Sequence, residues 1–303
     1  MKKLVKVLSM IALVFSLSFL SGCSSSSDTS RYGDDVEKPE KLDRIISTSP
    51  SNTEILAGLG LADKIVGSDS YSIDSVEGLP KDIKTLDFMN PDIETLIALK
   101  PDVVIGAEIN TVDGKSPLDE LKDKGIKVLY IPTAKTYKEI TKDIEFLGDY
   151  TSTTDKATEV VKSMNETYDK VSNIAKTIPE DKVKSVYVEV SGEPSIFTTG
   201  KDTFINDLIS SVGAKNIFAE NEGWFSPSVE QIITAQPDVI LTTESYDTAA
   251  VSKILKRSDF KGLDAVKNKQ VFAVDYNASS RASQNAAKAL EEFAKTIYPE
   301  YYE

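Results

Sequence analysis

Residues 87–108 read "DFMNPDIETLIALKPDVVIGAE", and residues 223–244 read "GWFSPSVEQIITAQPDVILTTE". Each stretch predicts a loop with an aromatic residue, a proline, a short helix, a Pro-Asp turn and a buried strand. A segment that occurs twice in this way indicates two similar lobes. Aligned without gaps, the two stretches are identical at Pro91/Pro227, Glu94/Glu230, Ile97/Ile233, Pro101/Pro237, Asp102/Asp238, Val103/Val239 and Glu108/Glu244.

Short apolar runs and helical patterns alternate on both sides of these stretches. The runs predict strands within residues 43–50, 64–69, 102–107, 127–132, 184–190, 238–243 and 270–275. Helical patterns occur at residues 51–60, 202–211, 229–236, 248–256 and 283–298. This alternation predicts an α/β protein whose two Rossmann-like lobes each contain a parallel sheet.

A longer helical pattern separates the two halves. Apolar residues recur at helical spacing over residues 151–180, and Pro179 marks the end of the pattern. A mid-chain helix of this length could be a coiled-coil segment, but its place between two α/β halves favours a connecting helix. The predicted organisation is an N-terminal lobe at 42–150, an interlobe helix at 151–179 and a C-terminal lobe at 180–303.

The N-terminus has the pattern of a secretory signal. A basic start, "MKKLVK", is followed by an apolar run and then by "LSGC" at residues 20–23. "LSGC" resembles the bacterial lipobox, which implies a signal peptide at 1–22 and acylation of Cys23, the only cysteine. The alternative is a plain signal peptide with an incidental cysteine. The polar residues 23–41 predict a flexible tether. We therefore expect a lipoprotein on the outer face of the cell membrane, of the Gram-positive type.

Composition excludes several functions. The net charge of −13 argues against nucleic-acid binding, which needs a basic surface. The absence of histidine excludes Ser-His-Asp and Cys-His catalysis and HExxH zinc sites, and it disfavours a bare Zn²⁺ or Mn²⁺ site. "SIFTTGKDT" at 195–203 departs from a phosphate-binding loop at Ser195 and at Asp202. We expect no catalysis and no cofactor held by the protein.

Two residue pairs in the repeated stretches are candidates for function. Phe88 and Trp224 occupy equivalent positions, where the rings could clamp an apolar ligand from two lobes or fix each loop to its own lobe. Glu94 and Glu230 fall in the first turn of equivalent helices. There they could stabilise the helix dipole or offer two carboxylates to a partner.

An ordered set of segments resembles the substrate-binding proteins of ABC importers for ferric siderophores, haem and cobalamin. The resemblance runs from about residue 42 to 298 and is carried by "LSGC", "RIISTSPSNTEILAGLGLADKIVG" (44–67), "DIETLIALKPDVVI" (92–105), "FTTGKDTFINDLISSVGAKNIF" (197–218) and "VEQIITAQPDVIL" (229–241). It implies a class III periplasmic-binding-protein fold, with two α/β lobes joined by one rigid helix. It also implies a monomer that captures a metal chelate between the lobes and delivers it to a membrane permease with a cytoplasmic ATPase.

The resemblance also implies roles for individual residues. Glu94 and Glu230 match the glutamates that dock onto arginines of the permease. "VGSDSYS" (66–72) and "SSRASQN" (279–285) resemble segments of the cobalamin-binding members that bring a tyrosine, here Tyr71, and a polar contact, here Arg281, to the ligand. Trp224 retains a tryptophan of those members. Phe88 replaces another, which leaves the identity of the ligand in doubt.

The charge of the chain narrows the choice of chelate. The few arginines disfavour a strongly anionic ferric tris-catecholate, whereas a neutral corrinoid or a neutral or cationic hydroxamate chelate is compatible with them. Haem ranks third, since without histidine its axial ligand would have to be Tyr or Met. The chelate brings its own metal, so no cofactor is expected. A surface enzyme that uses carboxylates alone and a ligand-free adhesin remain as alternatives.

Overall fold

The computed structural model describes residues 29–32, 36–87, 90–107 and 116–302. Cys23, Phe88 and Glu108, which the sequence analysis singled out, lie outside these ranges. Within the described ranges, no helix combines the length and the apolar character needed to cross a membrane.

The first half of the chain forms a parallel sheet with the strand order β3-β2-β1-β4-β5. Its strands are β1 Ile45–Ser47, β2 Ile65–Asp69, β3 Lys84–Leu86, β4 Val103–Ala107 and β5 Lys127–Ile131. The helices of this half are α1 Pro50–Gly58, α2 Ile93–Ala98, α3 Asp119–Asp123 and α4 Tyr137–Tyr150. We call this unit the N-lobe. Its sheet is covered by buried aliphatic side chains, as expected for parallel strands.

A single long helix, α5 Thr154–Ala175, follows the N-lobe. Ser152, with a left-handed φ of 59°, separates α5 from α4. The helix is held from both sides, because Tyr137 of α4 donates its hydroxyl to the carbonyl of Met164 (2.8 Å) and Tyr302 donates to that of Val171 (3.0 Å). These contacts pack the connecting helix against both halves of the chain.

The second half forms a parallel sheet with the strand order β11-β10-β6-β8. Its strands are β6 Ser185–Glu189, β8 Lys215–Asn216, β10 Val239–Thr242 and β11 Val271–Ala273, and β7 Thr198–Thr199 and β9 Trp224–Phe225 form a separate antiparallel pair. The helices are α6 Phe204–Ser211, α7 Val229–Ala235, α8 Ala250–Lys256, α9 Asp264–Lys267, α10 Tyr276–Ser280 and α11 Ala286–Ile297. We call this unit the C-lobe. The predicted fold class, two α/β lobes with parallel sheets joined by one long helix, is confirmed.

The two repeated stretches fold alike. Between helix and strand, Lys100 and Gln236 adopt the same left-handed backbone, with φ of 48° and 46°. The aspartate that follows each proline binds the start of the neighbouring strand: Asp102 accepts from the N–H of Arg44 (2.9 Å), and Asp238 from that of Ser185 (2.7 Å). The Pro-Asp pairs therefore fix β4 beside β1 and β10 beside β6.

The described part of the tether contacts the N-lobe, which differs from the expectation of a flexible segment. Tyr32 stacks on Phe146 at a centroid distance of 3.6 Å and donates its hydroxyl to Asp143 (2.7 Å). The Nε of Arg31 lies 3.1 Å from the same carboxylate. Tyr32 and Arg31 of this segment thus both have partners on α4.

Candidate functional site: an interlobe cleft

A cleft of about 420 Å³ lies between the two lobes. The N-lobe lines it with residues at the carboxyl ends of its strands, including Ser49 after β1, Ala107 at the end of β4 and Ile131 at the end of β5. The carboxyl ends of parallel strands are the usual ligand-binding edge of an open α/β sheet. The C-lobe lines the opposite side with Thr203 and Tyr276, among others. The volume lies in the range of small-molecule sites.

Tyr71 lies in the cleft wall on the N-lobe side, and 55% of its surface is exposed. It follows β2, where the buried carboxylate of Asp69 accepts hydrogen bonds from the backbone N–H of Tyr71 (2.9 Å) and of Ser72 (3.0 Å). An Asp side chain that binds the backbone two or three residues later is typical of a tight turn. This turn presents the tyrosine ring to the cleft.

Trp224 lies in the cleft wall on the C-lobe side, and 40% of its surface is exposed. It is held by pairing with Thr199, in the short antiparallel pair of β9 with β7. Gly200, which follows Thr199, lies very close to the backbone of residue Asn221. A methyl group on Gly200 would come within 2.1 Å of the carbonyl oxygen of Asn221. Gly200, the glycine of "FTTGKD", therefore allows two backbone segments to approach closely, and this contact helps to position Trp224.

Arg281 lines the cleft, but its guanidinium is directed to the N-lobe. One nitrogen donates to the Glu54 carboxylate (2.7 Å) and to the hydroxyl of Ser75 (3.0 Å), and another donates to the carbonyl of Tyr71 (2.9 Å). The side chains of Arg281 and Glu54 are only 6% and 5% exposed. This ion pair joins the lobes and holds the turn that carries Tyr71.

Glu54 has further partners on the C-lobe. Its carboxylate accepts hydrogen bonds from the hydroxyl of Ser283 and from the side-chain amide of Asn285 (2.8 Å), and its carbonyl accepts from Gln284 (2.8 Å). Sequence reasoning did not single out Glu54, because nothing in "SNTEIL" distinguishes it from any other helix glutamate. It is the centre of the interlobe contact.

Glu94 and Glu230 are exposed on the two lobes, and neither lines the described part of the cleft. Each is the second residue of its helix, after an N-cap side chain: Asp92 accepts from the N–H of Thr95 (3.2 Å), and Ser228 from that of Gln231 (3.2 Å). The two carboxylates therefore occupy equivalent positions on equivalent helices.

Other cleft residues were missed from the sequence. Tyr276 and Ser280 lie on α10, immediately after β11, and Asp202 precedes α6. The ring of Tyr276 packs edge-on against that of Tyr246, with centroids 5.1 Å apart. The hydroxyl of Ser280 is buried without a hydrogen-bond partner among the described residues. The available signal for Tyr276 was its position directly after the strand predicted at 270–275.

Asp143 of α4 also lines the cleft, and its carboxylate faces the tether. Burial raises the pKa of Asp143 above its ordinary value, against hydrogen bonds from Arg31 and Tyr32 that favour the charged form. Over the part of the chain that the structure describes, His, Cys, Asp and Glu form no group of three that could hold a metal ion. The described lining offers aromatic faces, hydroxyls, the amide of Asn52 and the exposed carboxylate of Asp202.

Comparison with known proteins shows which family has this architecture. Residues 45–278 match the family model described as periplasmic binding protein. The uncharacterised ABC transporter substrate-binding lipoprotein YvrC of Bacillus subtilis (strain 168) is 37% identical over 274 residues, which cover 88% of this chain and 84% of that protein. The vitamin B12-binding protein of Yersinia pestis (strain Pestoides F) is 28% identical over 205 residues, covering 67% and 70%.

A solved structure from another organism has a similar fold. The crystal structure of a possible iron-binding (periplasmic solute-binding) protein from Staphylococcus epidermidis ATCC 12228 superimposes with a TM-score of 0.72 and 36% identity, covering 86% of this chain and 100% of that one. The family match, the sequence similarity and the shared fold lead to one conclusion. The chain belongs to the periplasmic binding protein family.

Proposed function

We propose that this chain is the substrate-binding lipoprotein of an ABC importer, and that it captures a metal chelate between its lobes. The observation that carries the proposal is the cleft itself, where exposed rings of Tyr71 and Trp224 come from different lobes. Large aromatic faces at a domain interface bind flat or apolar ligands well. The names of its relatives, which refer to substrate, vitamin B12 and iron binding, support the same class of ligand.

The proposal includes an anchor and partners. A lipid on Cys23 would hold the monomeric protein at the outer face of the membrane, where it would meet the permease that works with a cytoplasmic ATPase. Glu94 and Glu230 would dock onto basic residues of that permease, one from each lobe. Because exposed ion pairs are weak, about 0–1 kcal/mol each, we expect them to act on orientation and encounter rate. The chelate would supply its own metal, so the protein needs no cofactor.

The proposal is tested by titration of the full-length protein in mild detergent. Trp224 is the only tryptophan, so its fluorescence reports on the cleft alone. The probes are cyanocobalamin, a neutral ferric trihydroxamate, a ferric tris-catecholate and haemin, with correction for their absorbance and with parallel calorimetry. Saturable binding of one probe with a Kd of about 1 μM or below, near −8 kcal/mol, is expected. If no chelate binds by either method, the proposal is wrong.

A further inference from the structure

We infer that the cleft selects chelates that carry no net negative charge, because the arginine in its described lining, Arg281, is neutralised by Glu54. The inference rests on the proposed function and specifies its substrate class. The number of arginines could only suggest such a preference. The structure adds where each guanidinium is used and which charges line the cleft.

All four arginines of the chain have acceptors within the protein. An arginine is always charged at physiological pH, so its partner decides whether the charge is available to a ligand. The acceptors are Asp143 for Arg31 (3.1 Å), the carbonyl of Leu99 for Arg44 (2.6 Å), Glu189 for Arg257 (2.7 Å) and Glu54 for Arg281 (2.7 Å). Arg44 precedes β1, at the amino end of the sheet and opposite the cleft.

Arg281 is the arginine that reaches the cleft wall, and an anionic ligand could not use its charge without disturbing the lobe boundary. The guanidinium is almost fully buried and makes hydrogen bonds to Glu54, to Ser75 and to the carbonyl of Tyr71. Drawing it towards a ligand would leave the buried Glu54 carboxylate without its counter-charge, which is strongly unfavourable. Arg281 is therefore a positioning residue. It holds the turn that carries Tyr71 and joins the two lobes through Glu54.

The remaining lining offers no cation within the described residues. No lysine lines the described cleft, whereas Asp202 lines it, is exposed and makes no ion pair in the described ranges. Asp143 also lines it and is paired with Arg31, and the remaining polar groups are neutral, such as Asn52, Thr203 and the unpaired hydroxyl of Ser280. An anion would meet a carboxylate in a protein with a net charge of −13. A neutral or cationic chelate would meet hydroxyls, amides and aromatic faces.

The test compares ligands that differ in charge alone, with Kd measured by calorimetry on the full-length protein in detergent. One pair is cyanocobalamin and its monocarboxylic acid, in which a side-chain amide becomes a carboxylate. The other is a neutral ferric trihydroxamate and an analogue that bears a carboxylate. A ferric tris-catecholate completes the series. We expect the neutral member of at least one pair to bind at least about tenfold more tightly than its anionic partner, and the tris-catecholate to bind more weakly still.

Variants test whether the pairing of Arg281 with Glu54 causes the preference for neutral ligands. Glu54→Gln keeps the size of the side chain and releases the charge of Arg281, so the preference for the neutral ligand should fall severalfold. The double variant Glu54→Gln/Arg281→Met should restore the preference. Glu120→Gln changes the net charge equally at an exposed N-lobe position outside the cleft lining, and should leave the preference unchanged.

The outcomes separate the two proposals. Equal or tighter binding of the anionic ligands to the unmodified protein overturns the charge inference and leaves chelate capture intact. An unchanged preference in a folded Glu54→Gln protein also overturns it. If the variant does not fold, the charge series on the unmodified protein decides. Binding of no chelate at all overturns the proposed function, and the inference with it.

Discussion

The carboxylate of Asp207, in α6 of the C-lobe, accepts a hydrogen bond from the backbone N–H of Tyr137, the first residue of α4 in the N-lobe, at 2.8 Å. The N-terminal N–H groups of a helix have no partner within the helix, and a carboxylate there also interacts favourably with the helix dipole. Together with the pair formed by Glu54 and Arg281, this contact joins the lobes at a second point. Both contacts depend on a carboxylate at the lobe boundary, which is buried for Glu54 and half-buried for Asp207.

The raised pKa of Asp207 should be visible in the pH dependence of protein stability. Burial raises the pKa of Asp207 above its ordinary value, and this effect exceeds that of the hydrogen bond from Tyr137, which lowers the pKa. A carboxyl group whose pKa is raised by folding gives its full contribution below the unfolded value, about 3.9, and loses it as the pH rises through the folded value. The Tm of Asp207→Asn relative to that of the unmodified protein should therefore rise as the pH increases from about 3.9 to neutral pH. Asp169→Asn makes the same change at an exposed position of α5. A Tm difference for Asp207→Asn that stays constant over this range would contradict the prediction.

The two exposed rings should account for much of the chelate affinity. Trp224→Ala and Tyr71→Ala should each raise the Kd about tenfold, since an aromatic contact adds roughly 0.5–1.5 kcal/mol to the gain from buried area. Calorimetry is the measurement, because one variant removes the fluorophore. Tyr301→Ala removes a ring that packs on Tyr298 and does not line the described cleft, so its Kd should be unchanged. Unaltered affinity in both cleft variants would show that the rings only hold their own loops.

Permease docking should be separable from ligand binding. Glu94→Ala with Glu230→Ala should abolish chelate uptake by cells and leave the calorimetric Kd unchanged, because both carboxylates are exposed and lie outside the described cleft lining. Glu120→Ala with Asp264→Ala is the matched control, with one exposed first-turn acid on each lobe. Loss of chelate affinity in the first double variant would refute the docking role.

The buried pair of Glu189 and Arg257 should be a large contributor to C-lobe stability. The carboxylate receives two hydrogen bonds from the guanidinium, at 2.7 and 2.8 Å, and both side chains are buried. Glu189→Ala should lower the free energy of unfolding in urea by about 3–5 kcal/mol, because it leaves a buried charge unpaired.

Two controls test that explanation for Glu189. Adding Arg257→Met should recover part of the loss, since the unpaired charge is then removed. Glu159→Ala, which breaks an exposed pair with Lys156, should cost only about 0–1 kcal/mol. A small effect of Glu189→Ala, similar to that of the exposed pair, would contradict the prediction.

The anchor is tested by one substitution. Cys23→Ser removes the thiol that would carry the lipid, so the protein should move from the membrane fraction to the medium of Gram-positive host cells. The measurement is immunoblotting of the two fractions, with metabolic labelling by a fatty acid as confirmation. A Cys23→Ser protein that stays on the membrane would show that another feature holds it there.

Periodicity in the sequence accounts for most of the fold and for part of the cleft. Buried apolar runs located strands such as β4, and the duplicated stretch indicated that the lobes are alike. The edge strand β3, with two exposed residues of three, carries no such pattern and was missed. Helix α4 was also missed, although Ile140, Ile144 and Leu147 repeat at helical spacing and are buried.

The lobe boundary could not be predicted in this way. Glu54 and Arg281 are 227 positions apart, and no local pattern pairs them. Their contact exists only because α5 brings the two lobes together. Tyr71 was found through resemblance to a family and Trp224 through the repeated stretches. Ser280 required the structure, since a buried hydroxyl without a partner cannot be recognised from its neighbours in sequence.

If Cys23 carries the proposed lipid, the docking of Arg31 and Tyr32 on α4 limits the distance between the N-lobe and the bilayer. With a lipid on Cys23, the eight residue steps to Arg31 span at most about 28 Å even when fully extended. A carrier with so short a lipid-anchored tether would search for its permease by lateral diffusion in two dimensions rather than through the surrounding volume. It would capture its chelate within a few nanometres of the membrane that holds the permease.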